Sequence, residues 1–161
     1  MKNLSLLVLQ VIVLIICAGT LVFLLWEPHL EGRHVHSTVF KIYFTDPFLA
    51  FVYIGSIPFF VGGYQILRQL NQARTGSVFT KEALRTIRII QVCGVLLLCF
   101  VVTGEGIILM NTTDDRAGGV AMGLFSALFA ATLLAGATVL KGTLGEGVRL
   151  KSDKETGDQG R

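Results

Sequence analysis

Residues 4–26 read LSLLVLQVIVLIICAGTLVFLLW, a stretch that contains no charged side chain. A helix of about 20 apolar residues spans the ~30 Å hydrocarbon core of a bilayer, so this stretch is long enough to cross a membrane. A cleaved secretory signal has a shorter apolar region of about 7–15 residues. Cys17 also lacks the small preceding residue of a lipoprotein cleavage site. The stretch therefore predicts an uncleaved membrane-spanning helix.

Three further apolar stretches of similar length follow, at residues 47–67, 89–110 and 118–140. The composition agrees with four spans, because the 161 residues are 52% hydrophobic and only 16% charged. Soluble domains carry about 25% charged residues. The sequence therefore predicts an all-α fold, an integral membrane four-helix bundle within residues 1–140. The polar residues 141–161 predict a flexible cytoplasmic tail.

The basic residues are distributed unequally over the segments that connect the spans. The N-terminus, the segment between spans two and three, and the tail hold eleven of the 14 Lys and Arg residues, namely Lys2, Arg68, Arg74, Lys81, Arg85, Arg88, Lys141, Arg149, Lys151, Lys154 and Arg161. The other side holds Arg33, Lys41 and Arg116. Since cytoplasmic loops carry the excess of Lys and Arg, we expect a multi-pass protein of the plasma (bacterial inner) membrane with both termini in the cytoplasm. A formal net charge of +3 does not favour direct nucleic acid binding.

The helical pattern of spans two and three continues beyond the bilayer. Helices over 47–74 and 81–110 would be about 42 and 45 Å long, which exceeds the hydrocarbon core by more than about 10 Å. We expect Thr80 to cap the second of these helices, and Glu82 suits its first turn. The prediction is a basic cytoplasmic helical hairpin, which either anchors at anionic lipid headgroups or docks an acidic partner protein. The candidate interaction residues are Arg74, Phe79, Thr80, Lys81, Glu82, Arg85 and Arg88.

The segment between spans two and three reads GSVFTKEALRTIR at residues 76–88. In a four-span chain this pattern resembles the DUF2975 family of bacterial membrane proteins, whose cytoplasmic loop has the form G-x-x-F-[ST]-x-E followed by L-R. Residues 145–151, GEGVRLK, resemble the family's G-x-x-L stretch near the C-terminus, whereas residues 151–158 depart from its apolar finish. The family has no established activity. Its members are often encoded beside a small helix-turn-helix regulator, so the resemblance implies a regulatory role with such a protein as partner.

Glu105 is a carboxylate inside the predicted third span. An ionisable residue within a membrane segment is a candidate functional site. Glu105 lies about 25 Å from the cytoplasmic start of the span. It therefore either binds an ion or a proton, or pairs near the outer surface with Arg116 or Lys41.

Three histidines, His29, His34 and His36, lie in the predicted outer loop. Imidazoles are ordinary zinc ligands, but the spacing H-x₄-H-x-H matches no strong metal motif. A solvated polar loop and a weak metal site both remain open as interpretations. We expect no cofactor.

Small side chains recur at every fourth position of span four, at Gly119, Gly123, Ala127, Ala131 and Ala135. Such a ladder allows close approach of two helices in lipid. It predicts tight packing, either within the chain or in a homo-oligomer.

Sequence signatures of enzymes are missing from the chain, which has no phosphate-binding loop, nucleophile elbow or pair of intramembrane carboxylates. We therefore expect a non-enzymatic regulatory or interaction module that acts through the basic hairpin. The alternative is a small solute or ion permease, oligomeric or not, that uses Glu105 and a kink at Pro58.

Overall fold

The computed structural model describes residues 2–30, 47–76, 78–110 and 116–158. These parts of the chain form helices and one turn, and they contain no strand. The four α-helices are α1 (Lys2–Leu30), α2 (Pro47–Arg74), α3 (Lys81–Met110) and α4 (Arg116–Asp158). All four are long and apolar enough to cross a membrane. The prediction of an all-α fold with four candidate spans is confirmed.

The two long helices predicted on either side of the connecting segment have the expected bounds. α2 ends at Arg74 and α3 begins at Lys81. Gly76 follows α2 with a φ of +76°, a left-handed conformation that glycine adopts without steric cost. Thr80 then precedes the first turn of α3, so the chain reverses direction within a short turn.

α4 is longer than the predicted fourth span. It continues past Leu140 to Asp158, through residues for which the sequence predicts a flexible tail. Intrinsic propensity does not explain this extension, because each glycine within residues 142–147 costs about 1 kcal/mol relative to alanine. Packing explains it better, since Leu144 is 5% exposed and belongs to the same buried cluster as Ile87 of α3.

α1 packs against α2 in an antiparallel arrangement. Near one end, Nη1 of Arg74 donates a hydrogen bond to Oε1 of Gln10 at 3.1 Å. Toward the other end, the Tyr53 hydroxyl donates to the carbonyl oxygen of Leu24. The N-terminal part of α1 therefore lies beside the C-terminal part of α2.

α2 and α3 also run antiparallel, and glycines of α2 bring them close together. A Cβ built on Gly55 would lie 3.1 Å from the ring of Phe100, and one built on Gly62 would lie 3.5 Å from Cβ of Cys93. The Phe100 ring also contacts Phe51, with 5.2 Å between the ring centroids. Small residues thus allow the backbone approach that membrane helices need, since lipid provides no hydrophobic drive for helix association.

α4 contacts both α3 and α2. A Cβ built on Gly94 of α3 would lie 3.4 Å from Cβ of Leu134. The rings of Phe59 in α2 and Phe129 in α4 lie 6.1 Å apart. Helices α2, α3 and α4 therefore form a three-helix unit centred on α3, in which α2 and α4 touch only slightly, and α1 packs on α2.

We call one end of the bundle the hairpin end. It comprises α2 from Gln65 onward, the 75–80 turn, α3 up to Gln91, and α4 from Ala137 onward. The N-terminal part of α1 lies at the same end, as the Gln10 contact shows. The tightest packing at the hairpin end is that of α3, where Ala83 and Ile87 are 0% exposed and Thr86 is 1% exposed. In contrast, none of the most apolar window of α1 is buried, as expected for a helix that faces lipid.

Candidate functional site

The turn at the hairpin end is held by local hydrogen bonds. The Thr75 hydroxyl donates to the carbonyl oxygens of Asn71 and Gln72, which closes the last turn of α2. Oγ1 of Thr80 accepts a hydrogen bond from the backbone N–H of Ala83 at 3.2 Å. This is the N-cap geometry, in which a hydroxyl pairs a backbone donor of the first helical turn. The prediction of Thr80 as the cap of α3 is therefore confirmed.

A hydrophobic cluster fixes the turn to α4. Its buried members are Ile87 and Ile90 of α3 with Ala137 and Leu144 of α4. The partly buried residues packed against them are Leu84 of α3, Val78 of the turn and Ile66 of α2. Contributions from three helices and the turn make the hairpin end a single packed unit.

The ring of Phe79 is 49% exposed, yet it covers the backbone of α4 at Gly147. A Cβ built on Gly147 would collide with this ring, so the contact requires glycine at that position. The two segments that resemble the family, residues 76–88 and 145–151, therefore touch each other. Sequence reasoning missed this pairing, because it placed the second segment in a flexible tail.

The charged candidate residues lie around this packed unit with their side chains in solvent. Arg74 is exposed and is hydrogen bonded to Gln10 of α1. The other exposed charged candidates are Lys81, Glu82, Arg85 and Arg88. The arrangement presents a mainly positive surface on a well-packed support.

A row of buried glutamines on α2 was not anticipated. Gln65 and Gln69 are each 8% exposed, and their Oε1 atoms have no hydrogen-bond partner among the described residues. Oε1 of Gln72 is in the same situation. Residues spaced i, i+4 and i+7 share one face of a helix. On the register set by Gly62 and Cys93, Gln69 is level with Thr86.

An unpaired buried amide oxygen costs about 1–3 kcal/mol. The row therefore places costly polar groups beside the tightly packed part of α3 in the described structure. The signal that identifies it in the sequence is the glutamine spacing in an otherwise apolar stripe.

Glu105 lies against α4. A Cβ built on Gly123 would collide with the Glu105 carboxylate, so this side chain occupies the space that the glycine leaves. Pro58 is buried in α2. On the α2–α3 register it is level with Leu97, about 12 Å along the helix axis from Glu105. The structure therefore does not bring the two candidate permease residues together.

The small-residue ladder of α4 divides between two faces. Gly119, Gly123 and Ala127 are half-buried, and the two glycines face Ile108 and Glu105 of α3. The last two members of the ladder, Ala131 and Ala135, are exposed. The buried positions farther along α4 are Ala130, Ala137 and Leu144. Their spacing of seven matches the 3.5-residue repeat of left-handed helix packing, whereas a strict period of four rotates away from the contact.

The candidate metal ligands fall outside the described parts of the chain. His34 and His36 lie within residues 31–46, and the side chain of His29 is not described either. The metal site stays a prediction from the sequence.

Comparison with known proteins places this sequence in a family. Residues 37–156 match the family described as "Protein of unknown function (DUF2975)". The match includes all of α2 and α3, nearly all of α4, and both contacting segments of the hairpin end. α1 precedes it.

A relative in Bacillus subtilis (strain 168) carries the name "Uncharacterized membrane protein YoaS". It is 26% identical to this chain over 106 residues. The alignment spans 65% of this chain and 66% of the relative, just under two thirds of that protein's length. No solved structure matches the chain. Because the family match covers most of the chain and the structure has four apolar helices, this membrane protein belongs to the DUF2975 family.

Proposed function

We propose that the protein is a non-enzymatic membrane module that works by contact, with the exposed hairpin residues between Arg74 and Arg88 as its docking surface for a cytoplasmic protein. The observation that carries this proposal is the combination of packing and exposure at one place. Ala83 and Ile87 are fully buried, whereas Arg85 and Arg88 of the same helical turns are exposed. A rigid support of this kind presents charges in a fixed pattern at little entropic cost on binding.

The charge distribution supports a cytoplasmic location for the hairpin end. The structure places the N-terminal part of α1, the turn and the C-terminal part of α4 at this same end. Most Lys and Arg residues of the chain belong to these segments. By the positive-inside rule this end faces the cytoplasm, and both termini are on that side.

The partner is expected to be acidic. Positive surfaces steer acidic partners and suppress basic ones through complementary potentials. A small helix-turn-helix regulator with an acidic face, as implied by the family resemblance, fits this description. The hairpin end would then hold the regulator at the membrane.

A permease centred on Glu105 and Pro58 is the competing proposal. It has less support in the geometry, because the Glu105 carboxylate is packed onto Gly123 and lies about 12 Å from the level of Pro58.

The test is affinity purification from native membranes with Arg85→Glu and Arg88→Glu combined in one variant. We expect this variant to lose a partner that the unmodified protein retains, because two attractive contacts become repulsive. Retention of the partner by the unmodified protein should weaken as the salt concentration rises. Salt screens interactions between exposed charges that are farther apart than the Debye length, which is about 8 Å at physiological ionic strength.

The matched control combines Arg68→Glu with Lys151→Glu, which makes the same charge change at two other exposed positions. The control should keep the partner, and both variants should insert in the membrane like the unmodified protein. Equal loss of the partner in both variants, or a lack of any specific partner for the unmodified protein, would contradict the proposal.

A further inference from the structure

A shallow, open groove of about 490 Å³ runs along α4 beside Gln91 of α3 at the hairpin end. Gln91 of α3 and Thr138 of α4 form its first part, and they are joined by a hydrogen bond from Nε2 of Gln91 to Oγ1 of Thr138 at 2.9 Å. Lys141, Glu146 and Arg149 of α4 line the remainder. Gly142 and Gly145 of α4 complete the lining.

The two cations of the groove are available to bind an anion. Lys141 and Arg149 are eight residues apart, about 12 Å along α4, and therefore lie on neighbouring faces two turns apart. In the described parts of the chain, neither forms an ion pair with a carboxylate. Glu146 is the acid among the lining residues, so the groove has an excess of positive charge.

The position of the groove along the helices indicates what it binds. Lys141 directly follows the last apolar residues of the fourth span, and Gln91 lies at the start of the third. This level of a membrane protein lies where the hydrocarbon core meets the headgroups. Val92 and Val139 directly follow the groove residues Gln91 and Thr138 and are 52% and 69% exposed, so they offer an apolar surface to an acyl chain.

We propose that this groove binds the headgroup of an anionic phospholipid, with the phosphate between Lys141 and Arg149 and the acyl chains toward Val92 and Val139. Basic pockets between helices at the cytoplasmic side are suited to such headgroups. A soluble phosphate would not cover the exposed side chains of Val92 and Val139. This site is separate from the Arg85–Arg88 surface, so it does not depend on the proposed docking of a protein.

Native mass spectrometry of the full chain in detergent tests the proposal, with lipid bound per chain as the readout. The probes are phosphatidylglycerol, phosphatidylcholine with the same acyl chains, and glycerol 3-phosphate. We expect phosphatidylglycerol to bind about tenfold or more tightly than phosphatidylcholine, and glycerol 3-phosphate not to compete with it.

Two variants with the same charge loss distinguish a site from general surface attraction. Lys141→Gln with Arg149→Gln should weaken phosphatidylglycerol binding about tenfold or more, since each surface cation contributes about 1 kcal/mol. Arg68→Gln with Lys151→Gln should change it by less than about twofold. Equal losses in the two variants would overturn the proposal, and so would equal binding of the two lipids.

Filling the groove provides a test that does not alter charge. A Cβ built on Gly145, which lines the groove, meets nothing within 4 Å, so a larger side chain can start from this position without a clash at Cβ and take up part of the groove. Gly145→Leu should abolish phosphatidylglycerol binding while thermal stability stays equal or rises, because leucine favours the helix. Unchanged binding by Gly145→Leu, or displacement of the lipid by glycerol 3-phosphate, would refute a lipid site in the groove.

Discussion

Replacing Gly123 by alanine places a methyl group where the structure has the Glu105 carboxylate. The side chain of Glu105 must then leave its position against α4, or α3 and α4 must separate. Either response disturbs the contact between two membrane helices whose close approach depends on small residues.

The expected cost follows from two opposing effects. Overpacking a close contact destabilises a protein by about 1–3 kcal/mol, whereas alanine in place of glycine favours a helix by about 1 kcal/mol. Gly136→Ala provides the second effect alone, because a Cβ built on Gly136 meets nothing within 4 Å. Because the atoms in the way are the far end of the flexible Glu105 side chain, the cost lies at the low end of that range, and Gly123→Ala should be less stable than Gly136→Ala by about 1 kcal/mol.

A double-mutant cycle identifies Glu105 as the cause. In a Glu105→Ala background the methyl group has space, so the difference between the two glycine variants should fall below about 0.5 kcal/mol. Denaturant-induced unfolding in mixed micelles measures these free energies. The reasoning is refuted if Gly123→Ala and Gly136→Ala behave alike with Glu105 present, or if their difference persists after Glu105 is removed.

Two further predictions concern the hairpin end. Gln69→Met should raise the free energy of unfolding by about 1 kcal/mol, because it replaces an amide whose buried oxygen lacks a partner by a side chain of nearly the same volume. A loss of stability in the same unfolding assay would show that water or a ligand satisfies the amide. A cysteine introduced by Lys81→Cys should react with a membrane-impermeant maleimide only after the cytoplasmic side is opened, because the positive-inside rule places this turn inside. Labelling of intact cells at that position would reverse the proposed orientation.

The bounds of α2 and α3 follow from local signals in the sequence. Gly76 provides the left-handed conformation after α2, and Thr80 provides the cap of α3. Both effects act within one turn, so they depend little on distant packing. The four candidate spans are equally local, because apolar length alone determines them.

Features of α4 depend on distant residues and were not predictable in the same way. Its extension to Asp158 depends on burial of Leu144 against α3 and on the Phe79 ring over Gly147, across more than 50 residues of chain. The ladder of small residues coincides with the described α3 contact over only part of its length, for a related reason. Two of its members face α3, but only knowledge of the crossing geometry selects the seven-residue repeat over the four-residue one.

The division of the bundle into a three-helix unit and a less buried α1 bears on where a contact-driven function resides. The family match begins at residue 37 and therefore comprises α2, α3 and nearly all of α4, the same helices that build the hairpin end. Among the described residues, α1 has one buried hydrophobic side chain, Leu24, whereas α3 has several, including Ala83 and Ile87. A surface used in recognition needs a support that does not deform when it is bound. α2–α4 meet that requirement at the hairpin end, and the Arg74–Gln10 hydrogen bond joins α1 to the same end without contributing to its core. A docking role thus requires the docking surface to lie on α2–α4, the helices within the family match, while α1 serves as a membrane span only.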